Sequence, residues 1–155
     1  MDDALLARAI TLSREKMRTV AGGPFGAVVA RDGQVIAEGW NMVASENDPT
    51  AHAEIVALRR AARKLGTFDL SGCTLYASTE PCPMCYGAAH WARIERIVYA
   101  NDRQAAAEAG FDDALLHEQV ALPAHARAIE MVHTPHEDAL AVIAEWRTKP
   151  DKVSY

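Results

Sequence analysis

The sequence has no apolar run approaching the roughly 20 residues of a bilayer span, so a membrane-spanning helix is not expected. Its start, Met1-Asp2-Asp3, is acidic where a signal peptide would be basic, and the expected location is the cytoplasm. Glycine (9) and proline (7) are unremarkable and no segment is repetitive, which excludes collagen-like, low-complexity and repeat architectures. There are only three cysteines, an odd number in a chain with no export signal, so metal or redox chemistry is a better expectation than a disulfide framework. Half of the 155 residues are hydrophobic and 24% are charged, the balance of one globular domain spanning 1–155.

Clustered positive charge is also missing. Residues 104–155 hold 4 basic and 9 acidic side chains, which accounts for the whole net charge of -5. Binding a phosphate backbone requires clustered Lys and Arg, so the distribution favours a small-molecule partner over nucleic acid.

Hydrophobic periodicity organises the chain. Ala4–Met17 carries Leu5, Ala9 and Leu12 on one side and Arg8, Glu15 and Lys16 elsewhere, an amphipathic helix that ends near Ala21-Gly22-Gly23. Phe25–Ala30 and Gln34–Trp40 read as strands joined by a hairpin turn at Arg31-Asp32-Gly33. A polar loop, Asn41–Thr50, leads through the capping group Asp48-Pro49-Thr50 into a helix over Ala51–Leu65, which Gly66 stops. Cys73–Ser78 reads as a buried strand, Pro83–Ala92 as a helix and Ile94–Ala100 as a strand. Beyond Asn101 the pattern predicts a helical turn at Ala105–Ala109, a strand at Ala128–His133 and a helix over His136–Arg147. Strands alternating with helices predict an α/β fold: three α/β/α layers around a mixed sheet of about five strands.

The sharpest motif pairs His52-Ala53-Glu54 at one helix start with Pro81-Cys82-Pro83-Met84-Cys85 at another. Cysteines at i and i+3 share one face of a helical turn, and the helix N-terminal dipole favours their thiolates. One imidazole and two thiolates suit Zn²⁺. Side chains lean toward the helix N-terminus, so His52 reaches an ion just beyond it, with Glu54 close by and not a ligand. No fourth ligand stands at obvious spacing, which is the pattern of a catalytic site that keeps a position for water. Cys73 in an apolar strand reads as core, and His90 lies more than a turn beyond Cys85. A His-x-Glu with a Pro-Cys-x-x-Cys is the signature of zinc deaminases, with the glutamate as proton shuttle.

Taken alone, Phe25 and Trp91 read as core, Asn41 as turn chemistry, Asp112-Asp113 as a helix-start pair and Tyr155 as a chain end. Together with Gly22–Val28, Asn47–Ala51, Trp91-Ala92-Arg93 and Glu108–Asp113, however, the motifs span nearly the whole chain. They resemble the cytidine deaminase superfamily, and within it the guanine deaminases of that fold. The resemblance implies one Zn²⁺ held by His52, Cys82 and Cys85, with water in the fourth position. It makes Glu54 the group that moves a proton from that water to the ring nitrogen beside the departing amine, so that guanine becomes xanthine. It implies Asn41 and the Ala53 amide as readers of the base, Phe25 and Trp91 as pocket walls, and Asp113, or its neighbour Asp112, as a carboxylate that contacts purine N–H groups or assists proton transfer. Tyr155 resembles a lid, with residues from about 136 to 155 covering the site or exchanged between subunits of a homodimer. Deamination of a related ring such as guanosine, cytosine or an aminotriazine, deamination of transfer-RNA adenosine, and a noncatalytic zinc scaffold are the rival readings.

Overall fold

A computed structural model describes residues 2–155; Met1, the first residue of the acidic start, lies outside the described residues. Four strands form one sheet in the order β2-β1-β3-β4, with β1 (Gly26–Arg31), β2 (Gln34–Trp40), β3 (Cys73–Thr79) and β4 (Arg96–Asn101). β1 runs antiparallel to both β2 and β3, while β3 and β4 are parallel and joined through a helix, so the sheet is mixed.

Strand alternation builds the layers. Val28 and Ala30 of β1 and Tyr76 of β3 turn to one face, where α1 (Asp2–Thr19) lays Leu5, Ala9 and Leu12 against them. Ala27 and Val29 of β1 and Leu75 of β3 turn to the other face, against Ala53, Ala57 and Ala61 of α3 (Ala53–Leu65) and Ala89 of α4 (Pro83–Trp91). Cys73 is fully buried in this second core, so its place is in the packing. Asp2 and Asp3 begin α1 and Lys16 and Arg18 end it, each sign at the helix end whose dipole it complements. The hairpin closes on Asp32 and Gly33, both at positive φ, as a two-residue turn between twisted strands requires.

The elements up to Asn101 fall within three residues of their expected bounds, apart from one turn inside the polar loop, α2 (Val43–Glu46). Beyond it lie α5 (Arg103–Glu108), α6 (Ala114–Ala121), a 3-10 turn (Ala124–Ala126) and α7 (Glu137–Thr148). The sheet has four strands, not about five. Ala128–His133 leaves the 3-10 turn without joining the sheet and pairs with no strand among the described residues, with Ile129 and Val132 strongly exposed. The sequence reads a helix start at the Asp112-Asp113 pair without a helix span beyond it, and there α6 begins. Among the described residues no helix is long and apolar enough to cross a membrane.

The seat of α3 on β2 is set by one glycine. A methyl group on Gly39 would stand 2.2 Å from the Ala53 carbonyl oxygen and 2.5 Å from the Ala57 amide nitrogen, both main-chain atoms. Gly39→Ala must therefore push the helix off the sheet, and a loss of at least about 2 kcal/mol in urea-measured stability is expected. An unchanged denaturation midpoint would show that α3 is free to move.

Candidate active site

Two helix starts meet at the end of the sheet where β3 finishes. His52 is the N-cap of α3, Ala53 its first residue and Glu54 its second; Cys82 is the N-cap of α4, with Pro83 at the first helical position and Cys85 one turn in. Neither His52 nor Cys82 makes a side-chain capping bond to its helix, which leaves the imidazole and the thiol to face one another. The His52 Nδ1 stands 3.7 Å from the Cys82 Sγ and 3.6 Å from the Cys85 Sγ. Among the described residues, these three are the group whose ligand atoms all lie within 4.8 Å of one another.

The spacing fits zinc. Bonds of about 2.3 Å to sulfur and about 2.0–2.1 Å to imidazole nitrogen, opened to a tetrahedral angle, separate N and S by about 3.6 Å. Both observed separations match that edge. The donor set, two soft sulfurs and one imidazole, is also the one that Zn²⁺ prefers over oxygen-seeking cations. His90 is exposed and stands outside the group, so three protein ligands leave one position for a small molecule.

Negative charge is crowded here. Cys82, which accepts from the Cys85 thiol and from His52, is held down to about 4. Cys85 is pushed far above the usual thiol range by sharing its proton with Cys82 and by burial. His52 is raised by the Cys82 sulfur, and Glu54, 8% exposed, is raised chiefly by burial. Without a cation the cluster therefore stores protons. Ligation requires thiolate and neutral imidazole, so uptake of Zn²⁺ must expel them.

The cluster opens on a cleft of about 280 Å³. His52, Cys82 and Glu54 line its floor, and Phe25, Asn41, Phe111, Asp112 and Asp113 continue its lining. Asn41 is nearly buried, and its Oδ1 accepts from the amides of Gly23 (3.2 Å) and Val43 (3.3 Å). With the carbonyl oxygen engaged, the Nδ2 protons are the part of the side chain left for a ligand. Ala53 is fully buried behind the floor, and its amide belongs to the helix start, which has no intrahelical acceptor. Phe25 meets Phe111 edge-to-face, with ring centroids 4.8 Å apart. Phe111 was not singled out from the sequence, although it stands inside the Glu108–Asp113 motif; Thr79, Glu80 and Arg103 also reach the cleft.

Two of the expected residues lie elsewhere. Trp91, at the end of α4, and Tyr155 are both exposed and outside the cleft of their own chain, where they meet each other at 6.1 Å between ring centroids. Tyr155 also lies 6.3 Å from the ring of Phe68.

A three-layer α/β/α sheet that brings an imidazole, two thiols and a buried glutamate to paired helix starts defines a zinc-dependent hydrolytic deaminase. Residues 1–101 match the cytidine and deoxycytidylate deaminase zinc-binding region, and the chain belongs to that family. It is 45% identical over 153 residues to the guanine deaminase of Bacillus subtilis, an alignment covering 99% of this chain and 98% of that protein. The crystal structure of the same enzyme superposes with a TM-score of 0.95 over 99% of this chain and 98% of that one. A second solved structure, in complex with 2,6-diaminopurine, is 38% identical with a TM-score of 0.70 and covers 73% of this chain and 63% of that one. A tRNA-specific adenosine deaminase from Haemophilus influenzae is 41% identical over 99 residues, covering 63% of this chain and 57% of that protein.

Calorimetric titration of the metal-free protein with Zn²⁺ at pH 7 should show release of at least one proton per ion when buffers of different ionisation enthalpy are compared, with affinity rising with pH. Buffer-independent heats would contradict the protonated state assigned to Cys85.

Proposed function

We propose that the protein hydrolyses guanine to xanthine and ammonia, with Zn²⁺ held by His52, Cys82 and Cys85. The observation that carries this reading is Glu54, a buried carboxyl of raised proton affinity beside a three-ligand cluster at the floor of a cleft. A volume of about 280 Å³ suits a small flat base, being at the low end for small-molecule sites. The choice of guanine is supported by the end-to-end 45% identity, which runs through residues 102–155, beyond the region common to the family.

The bound metal supplies an acidified water beside the substrate. Glu54 takes a proton from water and delivers it to the ring nitrogen next to the carbon bearing the amine, while the hydroxide left behind adds to that carbon; the hydroxyl proton then passes to the amine, the C–N bond breaks and ammonia leaves. Burial serves this role, because a carboxylate that binds protons more readily than one in water is a stronger base and returns the proton as an acid nearer neutral pH. Asn41 Nδ2 and the Ala53 amide donate to acceptors on the base edge, Phe25 covers one ring face, and Asp113 accepts from purine N–H groups.

Trp91 and Tyr155 belong to the same reading through a homodimer. The segment from about 136 onward covers the cleft of a second copy and brings Tyr155 to it. Supporting this, α7 buries no residue in its own chain, and Leu140, Val142, Ile143 and Trp146 of α7 stand exposed. An apolar helix face left open in one copy is the kind of surface that a partner covers.

Purified, zinc-quantified protein should release ammonia from guanine and far more slowly from guanosine, adenine and cytosine. Glu54→Gln should keep about one zinc per chain and lose at least about a hundredfold in kcat; unchanged turnover in that variant would overturn the mechanism. Light scattering should give about twice the 16.8 kDa chain mass, and deletion of 136–155 should leave zinc bound, yield monomer and abolish guanine turnover. A monomeric full-length enzyme with undiminished activity would refute the exchange.

A further inference from the structure

We propose that His117 is a positioning residue, which holds the Asp113 carboxylate at the cleft and touches no substrate itself. The inference rests on the reading of Asp113 as a purine contact.

An aspartate at a helix start ordinarily turns back to cap the first amides. Here Asp112 does so, its Oδ1 accepting from the Ala114 amide at 2.8 Å. Asp113 occupies the N-cap position of α6 and makes no side-chain capping bond. Its Oδ2 lies instead 3.1 Å from Nε2 of His117, one turn along the helix, with the two side chains 23% and 32% exposed. A carboxylate only accepts, so Nε2 carries the proton and donates. One carboxylate oxygen is thereby fixed and the other is left for a ligand.

The two residues face different spaces. Asp113 lines the cleft, whereas His117 is absent from it and faces the neighbouring groove beside Glu80, Tyr86 and Tyr99. The imidazole thus backs the carboxylate from behind. Packing does not set this orientation, since α6 buries none of its residues. The hydrogen bond to His117 is the specific contact that aims Asp113.

The test is a double-mutant cycle on the zinc-loaded dimer or monomer as purified, reading kcat and KM for guanine together with zinc content. His117→Ala should lower kcat/KM on the order of tenfold with zinc retained. His117→Gln, which keeps an N–H donor on a side chain of similar reach, should restore part of the loss, and His117→Leu should not. Asp113→Ala should be more damaging, and adding His117→Ala to it should change nothing further. If Asp113→Ala turns over guanine normally, the reading of Asp113 falls and this inference with it. If Asp113→Ala is impaired but His117→Ala is not, or if the His117→Ala loss persists undiminished in the Asp113→Ala background, the positioning role alone is overturned.

Discussion

Four groups that resist sharing one small volume are held together at the floor of the cleft: an imidazole, two sulfurs and a carboxyl. His52 Nδ1 stands 3.6 and 3.7 Å from the sulfurs, and Glu54 is almost shut off from solvent beside them. Low local dielectric makes such a cluster hold protons or a cation. The rest of the fold serves this constraint. The ligands come from chain segments 30 residues apart, so two helices must begin at the same point in space. Parallel β3 and β4, joined by α4, fix one start; the close seat of α3 on Gly39 of β2 fixes the other. Both starts also direct the positive ends of their dipoles at the sulfurs, which favours thiolates.

This arrangement explains which parts of the molecule were legible in the sequence. Strands buried on both faces read as short, nearly continuous apolar runs, as in Ala27–Ala30 and Cys73–Ala77, and there the reading and the structure agree closely. The metal ligands were legible because their spacing is a local matter: i and i+3 on one helical turn, and His-x-Glu at another start. The expected strand at Ala128–His133 has the apolar residues of a strand, but β character becomes a strand only where a neighbour offers a ladder, and among the described residues no strand does. Trp91 and Tyr155 illustrate a further limit. A sequence motif groups them with the site residues, whereas in the fold of one chain they stand outside the cleft and meet each other.

Asp112 and Asp113 show how structure separates residues that sequence treats as equal. Both are acidic, both stand at a helix start and both border the cleft. Their hydrogen bonds differ: one caps Ala114, the other pairs with His117. Asn41 is a parallel case, since its turn chemistry and its place in the cleft are not alternatives. The Oδ1 atom closes the turn, bonding Gly23 and Val43, and by doing so it orients the amide nitrogen.

The lining of the cleft comes from two parts of the chain that differ in how well they are packed. Phe25, Asn41, His52, Glu54 and Cys82 come from the region common to the family and stand on elements that pack the core. Phe111, Asp112 and Asp113 come from the connection between α5 and α6, helices that bury nothing. The metal-binding cluster and Glu54 thus belong to the well-packed part of the lining, and the Phe111–Asp113 segment to the sparsely packed part. The charge distribution follows the same division, because the net -5 resides entirely in residues 104–155. Asp112 and Asp113 on the sparsely packed part place negative charge at the cleft, a field that disfavours phosphate.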